Sequence, residues 1–358
     1  MRVFGSYGSV PLEPPSVERA GASRSVDERR LIRFLDQGTL LALRPDVTTA
    51  VARVVAQRYR EARGAIRLSY FTTVFRQDRA MRGSEREYDQ AGIELVGVGG
   101  VAADAEVLAV LCEALTAVGL RSFTIGVGHV GAVRQLFDGV PPDALEAIVE
   151  RLREADHVAA FRIARDALGR ERAERARRAL AARGREIEAV DVPAVRELRE
   201  AIHLARELFA GEPLWGTPDL SVLPALPYYT GVVFEVVSPH VGAPIATGGR
   251  YDGLLAAYGA DRPATGFAIA VPLLHQALVA DGWMIPPERP LVSLEGGDDR
   301  ARLRVAAALR RSGADVVLGP PADSAGREVV AVRVIADRTV ALAGRSMTVD
   351  ELAAVLLS

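Results

Sequence analysis

Hydrophobic and polar positions follow different periods along the chain and divide it into four regions. Residues 1–135 mix short apolar runs typical of strands with helical patterns, whereas residues 136–212 carry apolar positions three and four apart, which predicts helices. Strand patterns return at 228–238 (YYTGVVFEVVS), and residues 265–280 (TGFAIAVPLLHQALVA) predict a strand that leads into a helix. The proline-rich segment IPPERP at 285–290 closes this part of the chain.

A smaller pattern of strands and helices follows this segment and ends in a helix opened by Thr348 and Asp350. We therefore predict an α+β protein with two domains. The first, residues 1–285, is a mixed sheet domain interrupted by a helical insertion at 136–212. The second, residues 286–358, is a small C-terminal α/β domain.

The composition is that of a globular protein with a sizeable core, since 49% of its 358 residues are hydrophobic and 25% are charged. No run approaches the ~18 consecutive apolar residues of a membrane helix. The opening sequence MRVFGSYGSVPLEPP also lacks the apolar segment of a secretory signal. We expect a cytoplasmic protein with no membrane partner. The single cysteine, Cys112, excludes an internal disulfide and is predicted to be a buried helix residue.

The basic side chains are all arginine: the sequence has 44 of them against 46 acidic residues. The resulting net charge of −2 gives no overall attraction to nucleic acid, which is therefore not an expected partner. The arginine-rich stretch 170–186 (RERAERARRALAARGRE) has glutamates interleaved throughout. This pattern favours a solvated helix with internal ion pairs over an RNA-binding face.

Two features of the sequence, a glycine-rich stretch and the histidines, are of kinds associated with cofactor or metal binding. Residues 126–131 (GVGHVG) match the G-x-G-x-x-G dinucleotide signature. No parallel βαβ unit follows them, however, so a tight strand-to-helix turn is the favoured interpretation. The five histidines have neither metal-ligand spacing nor cysteine partners. We expect no metal site and no cofactor.

Four stretches with clustered polar residues stand in order along the chain: LALRPDVTTAVAR (41–53), FRQDRAMRGSEREYDQAGIELVG (75–97), YYTGVVFE (228–235) and GGRYDGLL (248–255). Together they resemble histidyl-tRNA synthetase and its paralogues. The stretch YGSVPLEPPSVE (7–18), which contains Pro15, resembles the end of that family's first motif. The resemblance extends over about residues 4–275. It implies a class II aminoacyl-tRNA synthetase-like antiparallel sheet flanked by helices.

The polar residues of these stretches suit a small zwitterionic, nitrogen-rich ligand. Arg76 presents a two-pronged donor to a carboxylate, and Asp46 and Glu94 are acceptors for an ammonium group or a ring N–H. Taken singly, each residue is better explained as a surface polar group or a member of a structural ion pair. The set as a whole predicts a pocket with both donors and acceptors.

The resemblance implies a role for each member of this set. Asp46, Thr48 and Gln90 would face the α-ammonium of histidine. Arg76 would face the carboxylate, and Glu94 with Tyr229 the imidazole. Asp46 stands where the synthetases usually have glutamate, so its reach is shorter by one methylene. The predicted histidine-binding residues are Asp46, Thr48, Arg76, Gln90, Glu94, Tyr228 and Tyr229.

Two departures from the synthetase pattern fall where the family carries catalytic arginines. The stretch R-G-L-D-Y-Y is PALPYY here, with Pro224 at the arginine position and Pro227 at the aspartate position. The third motif is GFAIAVPLL, with Pro272 and Leu273 in place of glutamate and arginine. Neither proline nor leucine donates a side-chain hydrogen bond to phosphate. We therefore expect no adenylation, no catalytic residues and a protein that is not an enzyme.

The C-terminal segment differs from the larger anticodon-reading domain of the synthetases. From Glu288 onwards it has ten arginines against ten acidic residues, so it lacks the basic face that RNA binding favours. It is either a reduced relic of that domain or an interaction module.

This profile resembles the regulatory subunits of short-form ATP phosphoribosyltransferase, the first enzyme of histidine biosynthesis. The resemblance implies a dimer that joins a separate catalytic subunit in a hetero-octamer, activates it and helps it to sense histidine. An active histidyl-tRNA synthetase and an amino-acid-sensing module outside histidine biosynthesis remain open alternatives.

Overall fold

A computed structural model describes the chain in segments. The described residues are 1–22, 31–76, 86–209, 218–223, 226–284, 290–321, 324 and 327–357. They form two compact units, Met1–Trp283 and Met284–Ser358, which are treated separately below.

The first unit begins with a short helix, four short strands and a longer helix, and a pair of ten-residue strands follows. Its first elements are α1 (Arg2–Ser6), β1 (Val10–Pro11), β2 (Val17–Arg19), β3 (Arg33–Asp36), β4 (Thr39–Leu43), α2 (Val47–Arg58), β5 (Ile66–Phe75), β6 (Glu87–Val96), α3 (Val101–Ala117) and β7 (Thr124–His129).

A run of helices comes next, and then the strands that complete the sheet. These elements are α4 (Val130–Leu136), α5 (Pro142–Arg153), α6 (His157–Leu168), α7 (Arg170–Ala181), α8 (Pro193–Leu208), β8 (Val232–Val237), β9 (Ala246–Arg250), β10 (Ala264–Ala270) and α9 (Val271–Ala280), with short 3₁₀ helices at Gly184–Ala189 and Ala256–Tyr258.

The main sheet has seven strands in the order β1-β5-β6-β10-β9-β8-β7. Among the described strands of this sheet, only the pairing of β1 with β5 is parallel, and the others are antiparallel. A separate three-stranded sheet, β2-β4-β3, precedes α2. The predicted α+β class with an antiparallel sheet flanked by helices is confirmed.

Neighbouring residues of one strand face opposite sides of the sheet, and each side has its own hydrophobic core. Ile93 and Leu95 of β6 belong to a core built with α3 and the helical region. Val96 belongs to a second core that contains residues of α2, β5 and the tyrosine-rich segment before β8. Because Glu94 has the same parity as Val96, it points to this second side, where the candidate site lies.

The helical region packs on the sheet through α3 and α8. Prolines at the first turns of α5 and α8 supply backbone geometry suited to a helix start. Asp156 caps α6 by accepting a hydrogen bond from the backbone N–H of Ala159 at 3.0 Å. Buried residues on one face of α8, among them Val195, Leu198 and Ile202, join the same core as α3.

The GVGHVG stretch forms the end of β7 and the start of α4. His129 caps the helix, because its Nδ1 accepts a hydrogen bond from the backbone N–H of Gly131 at 3.0 Å. The glycines have a packing role: a Cβ on Gly128 would lie 2.7 Å from the carbonyl oxygen of Val222. The strand-to-helix turn favoured from the sequence is the conformation found.

The second unit has a five-stranded sheet and two helices. Its elements are β11 (Leu291–Glu295), α10 (Asp299–Arg311), β12 (Asp315–Leu318), β13 (Val329–Ala336), β14 (Thr339–Leu342), β15 (Arg345–Thr348) and α11 (Val349–Leu357). The strand order is β12-β11-β13-β14-β15, with the first three strands parallel and the last two antiparallel. The hydrophobic core of this unit includes Val292, Leu294, Val305 and Leu309. Across both units, none of the described helices combines the length and the hydropathy needed to span a membrane.

Candidate functional site

A cavity of about 670 Å³ opens on the side of the sheet that carries the second hydrophobic core. Six of the seven predicted site residues line it: Asp46, Thr48, Arg76, Gln90, Tyr228 and Tyr229. The seventh, Glu94, is 1% exposed and is hydrogen-bonded to residues of the cavity wall. The structure therefore brings together residues that are almost two hundred positions apart in the sequence.

The N-terminus of α2 forms one wall of the cavity. Asp46 caps this helix: one carboxylate oxygen accepts from the backbone N–H of Thr49 at 2.8 Å and the other from its hydroxyl at 2.9 Å. Such caps contribute about 1 kcal/mol. Asp46 thus has a structural function in addition to the ligand contact predicted for it, and its position is fixed before any ligand binds.

Glu94 lies on β6, opposite Gly266 of β10. Its carboxyl group accepts hydrogen bonds from the hydroxyls of Thr48, at 2.7 Å, and Tyr251. Burial, with a smaller contribution from the nearby Asp46 carboxylate, raises the pKa of Glu94 to about 8 against the opposing effect of these hydrogen bonds. Near neutral pH the cavity therefore contains a carboxyl group poised between its neutral and charged forms.

Gly266 makes room for this carboxyl group. A Cβ at position 266 would lie 2.0 Å from Oε2 of Glu94 and 2.4 Å from the carbonyl oxygen of Ile93. Any side chain there would have to displace Glu94 or separate the two strands. The glycine of the GFAIAVPLL stretch is therefore part of the site.

Three tyrosines form the aromatic wall of the cavity. The rings of Tyr228 and Tyr229 have centroids 4.7 Å apart, and Tyr251 stands edge-on to Tyr228 at 5.6 Å. Burial, together with the neighbouring carboxylates, raises the pKa of all three phenols, so each hydroxyl stays protonated as a donor. Tyr251 was not among the predicted site residues, although it lies inside the quoted GGRYDGLL stretch, directly after β9.

Arg76 lies at the end of β5, on the rim of the cavity. Its Nε donates to the carbonyl oxygen of Pro45 at 2.7 Å, which orients the guanidinium group. The guanidinium carbon also lies 5.8 Å from the ring centroid of Tyr88. Gln90, on β6, is 6% exposed and lines the same cavity. A carboxylate near Arg76 would meet a cation that is already held in place.

The cavity lining also has apolar residues. They include Pro244, Pro272 and Leu273, and Pro272 lies in the first turn of α9. Arg76 is the only cationic side chain among the described residues that line the cavity. Pro224, predicted to replace a catalytic arginine, falls outside the described residues.

The sheet topology, the capped helix and the cavity define a class II aminoacyl-tRNA synthetase-like protein. The family model for histidyl-tRNA synthetase matches residues 1–274. The chain is also similar to a solved structure described as an ATP phosphoribosyltransferase regulatory subunit/histidyl-tRNA synthetase from Bacillus halodurans, with a TM-score of 0.80, 28% identity and coverage of 93% of this chain and 91% of that one. The histidyl-tRNA synthetase of Nostoc sp. PCC 7120 has a TM-score of 0.75 at 20% identity, covering 99% of this chain and 93% of that one, a likeness of fold alone.

Relatives found by sequence identify the family within this class. The ATP phosphoribosyltransferase regulatory subunit of Moorella thermoacetica is 37% identical, with 94% of this chain and 90% of the relative covered. That of Symbiobacterium thermophilum is 38% identical, with 87% and 82% covered. The chain belongs to the family of ATP phosphoribosyltransferase regulatory subunits, within the histidyl-tRNA synthetase-like proteins. The class II fold predicted from the sequence is confirmed.

Proposed function

We propose that this protein is a non-catalytic regulatory subunit that activates a short-form ATP phosphoribosyltransferase and helps it to sense histidine. Family membership supports the regulatory role. The observation that carries the histidine-sensing part is the cavity itself: its lining includes a fixed arginine, carboxyl groups and phenols, Glu94 lies directly behind it, and apolar residues complete it.

The polar residues of the cavity match the functional groups of histidine one by one. Its carboxylate would pair with Arg76, and its ammonium would lie between Asp46 and Gln90. Its imidazole would then reach Glu94 and the hydroxyls of the aromatic wall. Hydrogen bonds that involve a charged partner contribute about 1.5–3 kcal/mol each. Two or three such bonds are enough for specific binding of so small a ligand.

Glu94 suits an imidazole in either protonation state. When charged, its carboxylate accepts from an imidazole N–H. When neutral, its O–H donates to an unprotonated ring nitrogen. Because its pKa is close to 8, both arrangements are accessible near neutral pH, and a proton can pass between the two groups. An aliphatic amino acid would leave Glu94 without this partner.

Amino-acid activation finds little support in the same cavity. A triphosphate needs several fixed cations as negative charge develops on phosphorus. Among the described lining residues Arg76 alone is cationic, and Pro272 and Leu273, which also line the cavity, have no side-chain donor for a phosphate. We propose that the cavity binds its ligand without reaction.

Regulation then follows from differential binding. Histidine must bind one state of the complex with the catalytic subunit more tightly than another, and the catalytic subunit must in turn change the affinity for histidine by the same factor. We further propose the assembly implied by the family: a dimer of this chain within a hetero-octamer, located in the cytoplasm.

Isothermal titration calorimetry with L-histidine tests the site. We expect Glu94→Ala and Arg76→Ala each to lower histidine affinity by between about tenfold and a hundredfold. Arg60→Ala, an exposed arginine outside the cavity lining, is the matched control and should bind like the wild type. Undiminished affinity in both site variants would remove this cavity as the histidine site.

Histidine-dependent ATP–pyrophosphate exchange separates the regulatory proposal from a synthetase. We expect no exchange above background for the purified chain at millimolar histidine and ATP. Exchange that depends on histidine would establish adenylation and overturn the non-catalytic role.

A further inference from the structure

Helices α6 and α7 are consecutive helices that contact each other and have an unusual charge balance. Between His157 and Ala181 the sequence has seven arginines and three carboxylates, a local net charge of +4 in a chain whose net charge is −2. The buried positions of the two helices are few and small, mainly Ala160, Ala164, Ala173 and Ala176. Most of the arginine side chains are therefore left to the surface.

Ion pairs within the two helices neutralise little of this positive charge. Arg177 pairs with Glu174, its Nε lying 2.9–3.0 Å from the carboxylate oxygens, and Arg172 donates to the backbone carbonyl of Asp138 at 2.7 Å. The solvated, internally paired helix favoured from the sequence is thus realised in one pair. No carboxylate in the described segments forms an ion pair with the exposed arginines Arg162, Arg165, Arg170, Arg175 and Arg178.

An apolar groove of about 380 Å³ adjoins the start of α6 and the end of α7. Leu152, Phe161 and Leu223 line it, together with Arg177, which pairs with Glu174, and Arg183, which lies 2.7 Å from Asp219. Val158, which also lines the groove, is 85% exposed, the highest fraction among the large hydrophobic residues described. Val158 thus belongs both to the groove and to a helix that carries part of the surplus charge.

The helical repeat links the two features. Val158, Arg162 and Arg165 are spaced i, i+4 and i+7, so they lie along one stripe of α6. A partner that covers Val158 must come close to both arginines. Acidic groups on that partner would gain two favourable contacts, while basic groups would be repelled.

We propose that the α6–α7 surface, defined by Val158, Arg162, Arg165, Arg170 and the adjoining groove, docks an acidic protein surface that inserts an aliphatic side chain into the groove. On the proposed function, on which this inference rests, that surface belongs to the ATP phosphoribosyltransferase catalytic subunit. The arginine rim would speed and orient the encounter, and the buried aliphatic group would hold the complex.

A protein fits this surface better than a nucleic acid does. Single-stranded nucleic acids need aromatic platforms for their bases, and Phe161 and His157 are the only aromatic rings among the described groove residues. An aliphatic groove gives a nucleic acid nothing to insert, whereas protein interfaces are anchored in this way.

The test measures binding of the full-length chain to the purified catalytic subunit by sedimentation velocity. The variant Arg162→Glu/Arg165→Glu/Arg170→Glu should bind at least about tenfold more weakly than the wild type, with a smaller dependence on salt. Val158→Asp, at a position too exposed to disturb folding, should weaken binding by a similar factor. The matched control, Arg60→Glu/Arg63→Glu/Arg300→Glu, changes the net charge equally at exposed positions that do not line the groove and should bind like the wild type.

Each outcome decides between the two proposals. If the α6–α7 variants bind the catalytic subunit as tightly as the wild type does, this inference is wrong and the proposed function stands. If the wild type forms no complex, the proposed function fails and the inference fails with it. Retention of a mixed tRNA sample by the wild type and its release by the variants, with subunit binding unchanged, would identify the surface as a nucleic-acid site and overturn the inference. Histidine binding, measured in parallel, should be equal in all variants.

Discussion

Replacing Glu94 by glutamine removes a buried carboxyl group at the candidate site whose pKa is about 8. In the wild type, burial among Thr48, Tyr70 and Tyr251 raises the pKa of Glu94 from 4.5 to about 8. Glutamine has nearly the same shape and forms hydrogen bonds with the same hydroxyls, but it does not titrate. The variant therefore isolates the free energy associated with this single proton.

The sign and size of the effect follow from the two pKa values. Below pH 4.5 Glu94 is protonated in both the folded and the unfolded chain and contributes no pH dependence. Between pH 4.5 and 8 the unfolded chain loses the proton while the folded chain retains it, so the free energy of unfolding falls by about 1.36 kcal/mol per pH unit. The loss is on the order of 3 kcal/mol at pH 7 and levels off near 5 kcal/mol above pH 8.

Thermal unfolding of wild type and Glu94→Gln at pH 5, 6, 7 and 8 measures this difference, because other titrating groups cancel between the two proteins. We expect the variant to gain on the wild type steadily as pH rises, by several degrees in the unfolding midpoint between pH 5 and pH 8. Adding saturating histidine should reduce the gain, since the ligand provides a partner for the carboxylate. Parallel midpoints across the pH range would refute the buried, near-neutral pKa and with it the proton-sharing arrangement.

Three further outcomes are expected from other parts of the fold. Gly266→Ala should destabilise the chain by about 3 kcal/mol or more, as judged by urea unfolding, because its Cβ would overlap Glu94; a stability equal to that of the wild type would contradict the packing described. Arg250→Ala should lower the free energy of unfolding by about 3–5 kcal/mol in the same assay, because Asp104, paired with Arg250 at 2.8 Å, would be left buried without this cation. The double variant with Asp104→Ala should recover part of this loss. A double variant that recovers none of it would argue against the pair. Cys112, whose thiol pKa is raised to about 12 by burial, should react with a thiol reagent only in denaturant, and rapid labelling of the native protein would be inconsistent with its position in α3.

Local patterns were sufficient to predict most elements of the fold. The short apolar runs in residues 1–135 and the helical repeat from residue 142 onwards depend on neighbouring residues only, and strands and helices are found there. The candidate site was predicted only as a set of residues, because family motifs indicate which residues face a ligand but give no register. Glu94 lies buried behind the cavity lining because β6 pairs with β10, which places Glu94 opposite Gly266, 172 positions away along the chain.

Long-range partners account for what the sequence did not reveal. Tyr251 became a site residue because β9 brings it to Glu94, and Arg250 beside it pairs with Asp104 of α3 across 146 positions. The helix cap at Asp46 has a local signal, an aspartate directly before a helical run. The interleaved glutamates of α7 suggested ion pairs that the helix geometry forms only at Glu174 and Arg177. Histidine binding by the seven predicted residues stays a prediction.

The central claim is that this chain controls a catalytic subunit and transmits the presence of histidine to it. The most direct measurement is the initial rate of a purified short-form ATP phosphoribosyltransferase catalytic subunit as this chain is added, repeated across a histidine titration. We predict that the rate rises to a plateau as the chain saturates the catalytic subunit, and that histidine lowers it with an inhibition constant weakened by Arg76→Ala. A rate that is the same with and without the chain, or an inhibition by histidine that the chain leaves unaltered, would contradict the account.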